Sequence, residues 1–138
     1  MDLTKLKKDL NVEEACKKLP YVDTKGKISI GVGRNLTDRG LSDDEIDYLL
    51  SNDITIAVTE LDKQFHWWRS MSDARQNVLI DMCFNMGITK LLGFKKALAA
   101  MAKQDFEQAA TEMLDSVWSK DVHGRADKLA QMMKSGEF

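Results

Sequence analysis

The order of apolar and polar residues divides the chain into a short helical start, a β segment and a long helical remainder. Leu3, Leu6 and Leu10 recur at helical spacing, so residues 2 to about 13 read as a first helix. From Tyr21 the period changes. Tyr21-Val22 and Lys27-Ile28-Ser29-Ile30 alternate with period two about the tight turn Thr24-Lys25-Gly26, which is a β-hairpin signal. Gly31 and Gly33 follow and mark a bend or a close approach of backbone. Residues 35 to 40 read as a polar loop in which Leu36 is the one residue to bury.

Ser42-Asp43-Asp44-Glu45 has the form of a capping box, with acidic residues in the first turn where the helix dipole favours them. The helix it opens carries Ile46, Leu49, Leu50, Ile54, Ala57, Val58 and Leu61 and is expected to run to about Asp62. Ser72-Asp73 starts another, in which Val78, Leu79, Ile80, Met82, Cys83, Phe84 and Met86 are apolar almost all round. A helix of that kind is a buried one, and Gly87 is placed to end it. Shorter helices are expected at about 93–102, 105–114, 116–120 and 124–134.

The fold class that follows is α+β and mostly α. The expectation is a single domain with a small β-hairpin lobe and a larger helical lobe, joined by a long helix. The small lobe and connecting helix take about 15–60, and the helical lobe takes about 61–138 plus the N-terminal helix. A cleft between such lobes is the expected ligand site.

Composition narrows the class further. A length of 138 residues suits one domain with a real core. With 43% hydrophobic and 30% charged residues the chain reads as globular, and one proline and eight glycines leave no low-complexity tract. The net charge of -2, without a long basic run, argues against nucleic acid as a partner. Cys16 and Cys83 read as free thiols, with one disulfide not excluded, and His66 and His123 are too isolated to build a zinc site. No metal and no cofactor is expected. The N-terminus lacks the apolar core of a secretory signal, and no run reaches membrane-spanning length.

The chemistry is concentrated near the hairpin. Two carboxylates on either side of a sugar are the minimum equipment of a glycosidase, one held protonated and the other ionised. Glu14, at the end of a helix beside apolar surface, is a candidate acid with a pKa raised by desolvation. Asp23 at the hairpin edge is the candidate ionised partner, and Ser29 on the other strand is placed to help hold a water. The plainer alternative makes Glu14 a surface residue, Asp23 a turn-former and Ser29 an ordinary strand residue.

Elsewhere the plainer readings lead. His66-Trp67-Trp68-Arg69 invites sugar stacking but more often covers a corner between helices. Asp38, Asp43, Asp44 and Glu45 lack EF-hand spacing, and capping explains them. The lysine pairs 7–8, 17–18 and 95–96 read as solvated faces that could draw in an anionic polymer. Met82, Met86, Met101, Met113, Met132 and Met133 read as core filling, and Trp118 as core.

The hairpin segment resembles the active-site signature of the phage-type lysozymes, the muramidase endolysins. Tyr21, Asp23, Thr24, Gly26, Ile30, Gly31 and Gly33 match its pattern, Ser29 stands for a usual threonine, and eight residues separate Glu14 from Asp23. The resemblance extends through Asn85-Met86-Gly87 and Gly93-Phe94, and through the spacing of Trp118 to Arg125. It implies an inverting muramidase that cleaves the β-1,4 bond between N-acetylmuramic acid and N-acetylglucosamine in bacterial peptidoglycan. Glu14 would be the general acid. Asp23 would stabilise positive charge and orient a water with Ser29. Arg125 would stand near the acid, and Asn85 and Gly31 would bind substrate or support the site. It also implies a monomer that accumulates in the host cytoplasm and reaches the cell wall at lysis.

The segment before Tyr21 departs from the pattern. The family's Asp-Glu-Gly is replaced by Glu13-Glu14-Ala15, and Lys18 stands where a leucine is usual, with Leu19 one place later. Either Ala15 takes positive φ at a cost of about 1 kcal/mol, or the helix continues through Ala15-Cys16-Lys17-Lys18. Continuation would turn Glu14 away and make Glu13 the fallback acid. A wall-binding protein with impaired catalysis on the same fold is the alternative function.

Overall fold

A computed structural model describes residues 1–116, 118 and 124–138. The elements run α1 (Leu3–Glu14), β1 (Lys17–Val22), β2 (Ile28–Gly31), β3 (Arg34–Asn35), α2 (Asp43–Gln64), a 3-10 turn (Trp68–Ser70), α3 (Asp73–Met86), α4 (Ile88–Leu92), α5 (Lys95–Ala102), α6 (Phe106–Leu114) and α7 (Gly124–Ser135). The class is α+β and mostly α, as the periodicity required. The helix expected at 116–120 falls largely outside the described residues.

The chain forms two compact units, Met1–Leu49 and Leu50–Phe138, and α2 runs from the first into the second. Residue contacts group α1 with the sheet, whereas the sequence reading grouped the first helix with the helical lobe.

In the first unit Asp2 caps α1, its carboxylate accepting from the Lys5 amide at 3.0 Å. The helix stops at Glu14 because Ala15 adopts the left-handed conformation, with φ 51°. Of the two backbone routes open to Ala15, the strained one is taken. The strand β1 then begins at Lys17, four residues before the period-two signal at Tyr21, and its register with β2 slips between Lys17 and Tyr21. Lys18 and Leu19 are both exposed, so the changed order of these two residues buries neither.

The sheet is antiparallel in the order β1-β2-β3. Its register places Tyr21 opposite Ser29, Val22 opposite Ile28 and Ser29 opposite Asn35. The two-residue strand β3 lies where the sequence reads as polar loop, and Leu36 there is only half-buried. The Thr37 hydroxyl extends the pairing by accepting from the Ile28 amide at 2.8 Å.

The capping box at the start of α2 forms as expected. Ser42 Oγ accepts from the Glu45 amide at 3.2 Å, and Glu45 Oε1 accepts from the Ser42 amide at 2.8 Å. Arg34 on β3 donates to the same Glu45 oxygen at 2.6 Å. That guanidinium, with the Ser42 donors, holds the Glu45 carboxyl well below its ordinary value, at about 2.

The second unit holds the core. Leu61, Trp68, Val78, Leu79, Met82, Leu91, Met101, Met113 and Met133 are fully buried, so α3 contributes to the core and most of the methionines fill it. The helix is not buried all round, however: Phe84 is exposed, and Ile80 and Met86 are only half-buried. Gly87 closes α3 with φ 83°. The tryptophan pair packs rather than projects: Trp68 is 2% exposed and donates Nε1 to Asp62 at 2.8 Å, while Arg69 forks onto the same carboxylate at 2.7 and 2.9 Å. Arg75 ties α3 to α7 by donating to the carbonyls of Met133 at 2.7 Å and Lys134 at 3.0 Å. Cys83 is buried, Cys16 exposed, and both thiols are free. Burial pushes the Cys83 thiol pKa up.

Candidate active site

Glu14 is the last residue of α1, and its carboxylate lies against the backbone of Gly33. A Cβ placed on Gly33 would stand 3.2 Å from Glu14 Oε2. Glu13 precedes it on the same helix, and both glutamates are exposed; the helix buries no residue, so the apolar surroundings expected for Glu14 are not found. With α1 ending at Glu14, the register shift that would promote Glu13 does not occur.

Asp23 sits in the turn between β1 and β2 and is half-buried. Its Oδ1 accepts from the amides of Lys25 and Lys27, each at 2.9 Å, and its own amide donates to the Lys27 carbonyl at 2.8 Å. Gly26 completes the turn with φ 78°. The turn-forming reading is therefore correct as far as it goes. It also leaves Oδ2 without a hydrogen bond among the described residues, on a carboxylate whose orientation two backbone donors define.

Ser29 occupies the central strand and is 4% exposed, the buried polar residue of the sheet. The register puts it opposite Tyr21, two residues before Asp23. Gly31 ends β2 opposite Lys17 with φ 68°, and Gly33 follows with φ 73°. Both belong to the tight reversal into β3, where a side chain would be strained by the backbone alone. Glu14, Asp23, Ser29 and Gly31 thus fall in one compact unit.

Asn85 and Arg125 belong to the second unit. Arg125 on α7 donates from Nε to Asp81 Oδ1 at 3.0 Å, and its Nη2 donates to the same oxygen. Asp81 was not singled out from sequence, and its place as an aspartate on the rim of a central helix was the available signal. Asn85, near the end of α3, borders a cavity of about 740 Å³ together with Lys90, Phe94, Lys95, Glu112 and Trp118. Phe94 meets Trp118 edge-on, with ring centroids 5.9 Å apart. Such a mixture of aromatic faces and charges of both signs suits a polar ligand with apolar edges.

The sequence model of the family described as phage lysozyme matches residues 11–134, all but the first ten and last four positions. The chain belongs to the phage lysozyme family. Two proteins of Dictyostelium discoideum described as probable T4-type lysozymes 1 and 2 are each 22% identical over 97% of this chain and 96% of their own length. A third relative, the pre-baseplate central spike protein Gp5 of Enterobacteria phage T4, is 31% identical over 51% of this chain and 12% of its own. As a phage lysozyme the chain is a glycoside hydrolase, and its activity is lysozyme-like hydrolysis of peptidoglycan. Among its described residues no helix is long and apolar enough to cross a membrane.

Proposed function

We propose that this phage lysozyme cuts the β-1,4 bond between N-acetylmuramic acid and N-acetylglucosamine with inversion of configuration, using Glu14 and Asp23. Glu14 is the general acid that protonates the glycosidic oxygen. Asp23 activates and orients the attacking water on the opposite face of the sugar, with Ser29 beside it, so the water adds as the bond breaks. The observation that carries this reading is the state of the Asp23 carboxylate. One of its oxygens is held by two backbone amides, and the other is left to a water or a substrate. A base must be both fixed and available, and this carboxylate has the hydrogen bonds of such a group.

Gly31 shapes the strand end beside these residues. Arg125 and Asn85 contribute from the second unit, where the cavity beside Asn85 has charged and aromatic groups suited to a wall polymer carrying sugars and peptides. The enzyme acts as a monomer in host lysis. It is made in the host cytoplasm and reaches the wall when the membrane is breached.

Clearance of a peptidoglycan suspension tests the assignment. The parent chain clears it, and Glu14→Gln and Asp23→Asn each lose at least a hundredfold in rate. Equal clearance by Glu14→Gln would remove Glu14 from the role of acid. Binding without any clearance by the parent would mean a wall-binding protein. Proton NMR of the first product separates inversion, which gives the α anomer, from retention.

A further inference from the structure

Four glycines of the first unit have positive φ: Gly26, Gly31, Gly33 and Gly40. For Gly26, Gly31 and Gly40 nothing lies within 4 Å of where a Cβ would stand, so backbone conformation alone explains the residue type. Gly33 differs. A Cβ there would meet Glu14 Oε2 at 3.2 Å and Glu14 Cδ at 3.7 Å.

Glu14 arrives at this place by an unusual route. The helix carrying it ends at once, because Ala15 turns into the left-handed region and sends the chain toward β1. No residue of the same unit donates a hydrogen bond to its carboxylate. The side chain is exposed, and Gly33 is the glycine of this unit at which an added Cβ would meet it.

We propose that Gly33 is a positioning residue for the acid, its missing side chain forming the seat on which the Glu14 carboxylate rests. The inference depends on the reading of Glu14 as general acid. It adds a second, independent requirement for glycine at a position where φ already favours one. A methyl group at Gly33 would sit closer than ordinary van der Waals contact and would push the carboxylate by a few tenths of an ångström. Proton transfer depends on donor and acceptor lying within hydrogen-bond reach, so even a small displacement lowers the chemical step more than it lowers binding.

The test compares Gly33→Ala with Gly40→Ala in the full chain, using a soluble peptidoglycan oligomer. Both variants carry alanine at positive φ, and both lose stability to a similar degree. The expected result is a fall in kcat of about tenfold for Gly33→Ala with KM within about twofold of the parent, and an unchanged kcat for Gly40→Ala. In the Glu14→Gln background Gly33→Ala should produce no further loss, because the group it displaces no longer acts. If Gly33→Ala does not fold at the assay temperature, Gly33→Asn supplies the same Cβ on a residue better suited to positive φ, with the same expectation. A kcat for the Gly33 variant within twofold of Gly40→Ala would overturn the inference while leaving Glu14 in place. An active Glu14→Gln variant would overturn the acid assignment itself.

Discussion

Arg125 on α7 donates two hydrogen bonds to a single oxygen of Asp81 on α3, tying the last helix to the central one across 44 residues of sequence. Both side chains are partly exposed, at 44% and 34%, so water screens the pair. Asp81→Asn is therefore expected to cost no more than about 1 kcal/mol in a denaturant titration. A double-mutant cycle with Arg125→Gln isolates the pairwise part. A coupling of several kcal/mol would show that the pair is more enclosed than its exposure indicates.

Ala15 offers a gain rather than a loss. Its φ of 51° is strained for any residue with a side chain, by roughly 1 to 2 kcal/mol. Ala15→Gly relieves this but gives the unfolded chain more freedom, which offsets part of the gain. We expect a net stabilisation of about 0.5–1 kcal/mol, read as a rise of a few degrees in Tm. An unchanged or lowered Tm would show that the backbone around Ala15 is already relaxed.

Acid should weaken the protein through Glu45 and Asp62. Arg34, with Ser42, lowers the Glu45 pKa from 4.5 to about 2, and Arg69, with Trp68, lowers that of Asp62 from 3.8 to about 2. A depressed carboxylate stabilises the fold above its unfolded pKa and loses that contribution as pH falls through the folded one. Stability should accordingly drop between about pH 4.5 and pH 2. Glu45→Gln and Asp62→Asn should each flatten that part of the profile in pH-dependent denaturation, and a profile as steep as the parent's would contradict the assignment.

Leu79 and Met82 are 0% exposed in the centre of α3. Truncation of either to alanine leaves a void among neighbours that relax only in part, at a cost of about 2–5 kcal/mol. The same change at the exposed residue Leu92 should cost far less. Similar losses at the three positions would mean that the core does not centre on α3.

What could be read directly from the residues is what neighbours in sequence decide. The capping box at Ser42 and Glu45, the Asp23 turn with Gly26, the termination of α3 at Gly87 and the burial of one face of α3 all follow from residues a few positions apart. Family membership was legible for the same reason, since the motif from Tyr21 to Gly33 is contiguous. Even α4 and β3 escaped notice only because five and two residues carry too little periodicity to register.

Tertiary structure decided the rest. Sequence left Ala15 two backbone routes, the left-handed one being the more strained, and the pairing of β1 with β2 selects it, because a helix continuing through Lys17 would forfeit that edge of the sheet. The same holds for Asp81 opposite Arg125 and for Gly33 beneath Glu14: neither contact has a local signature. Local hydrogen bonds and turn chemistry are encoded within a few residues. A seat for a carboxylate exists only when the chain returns to it, and packing alone brings that about.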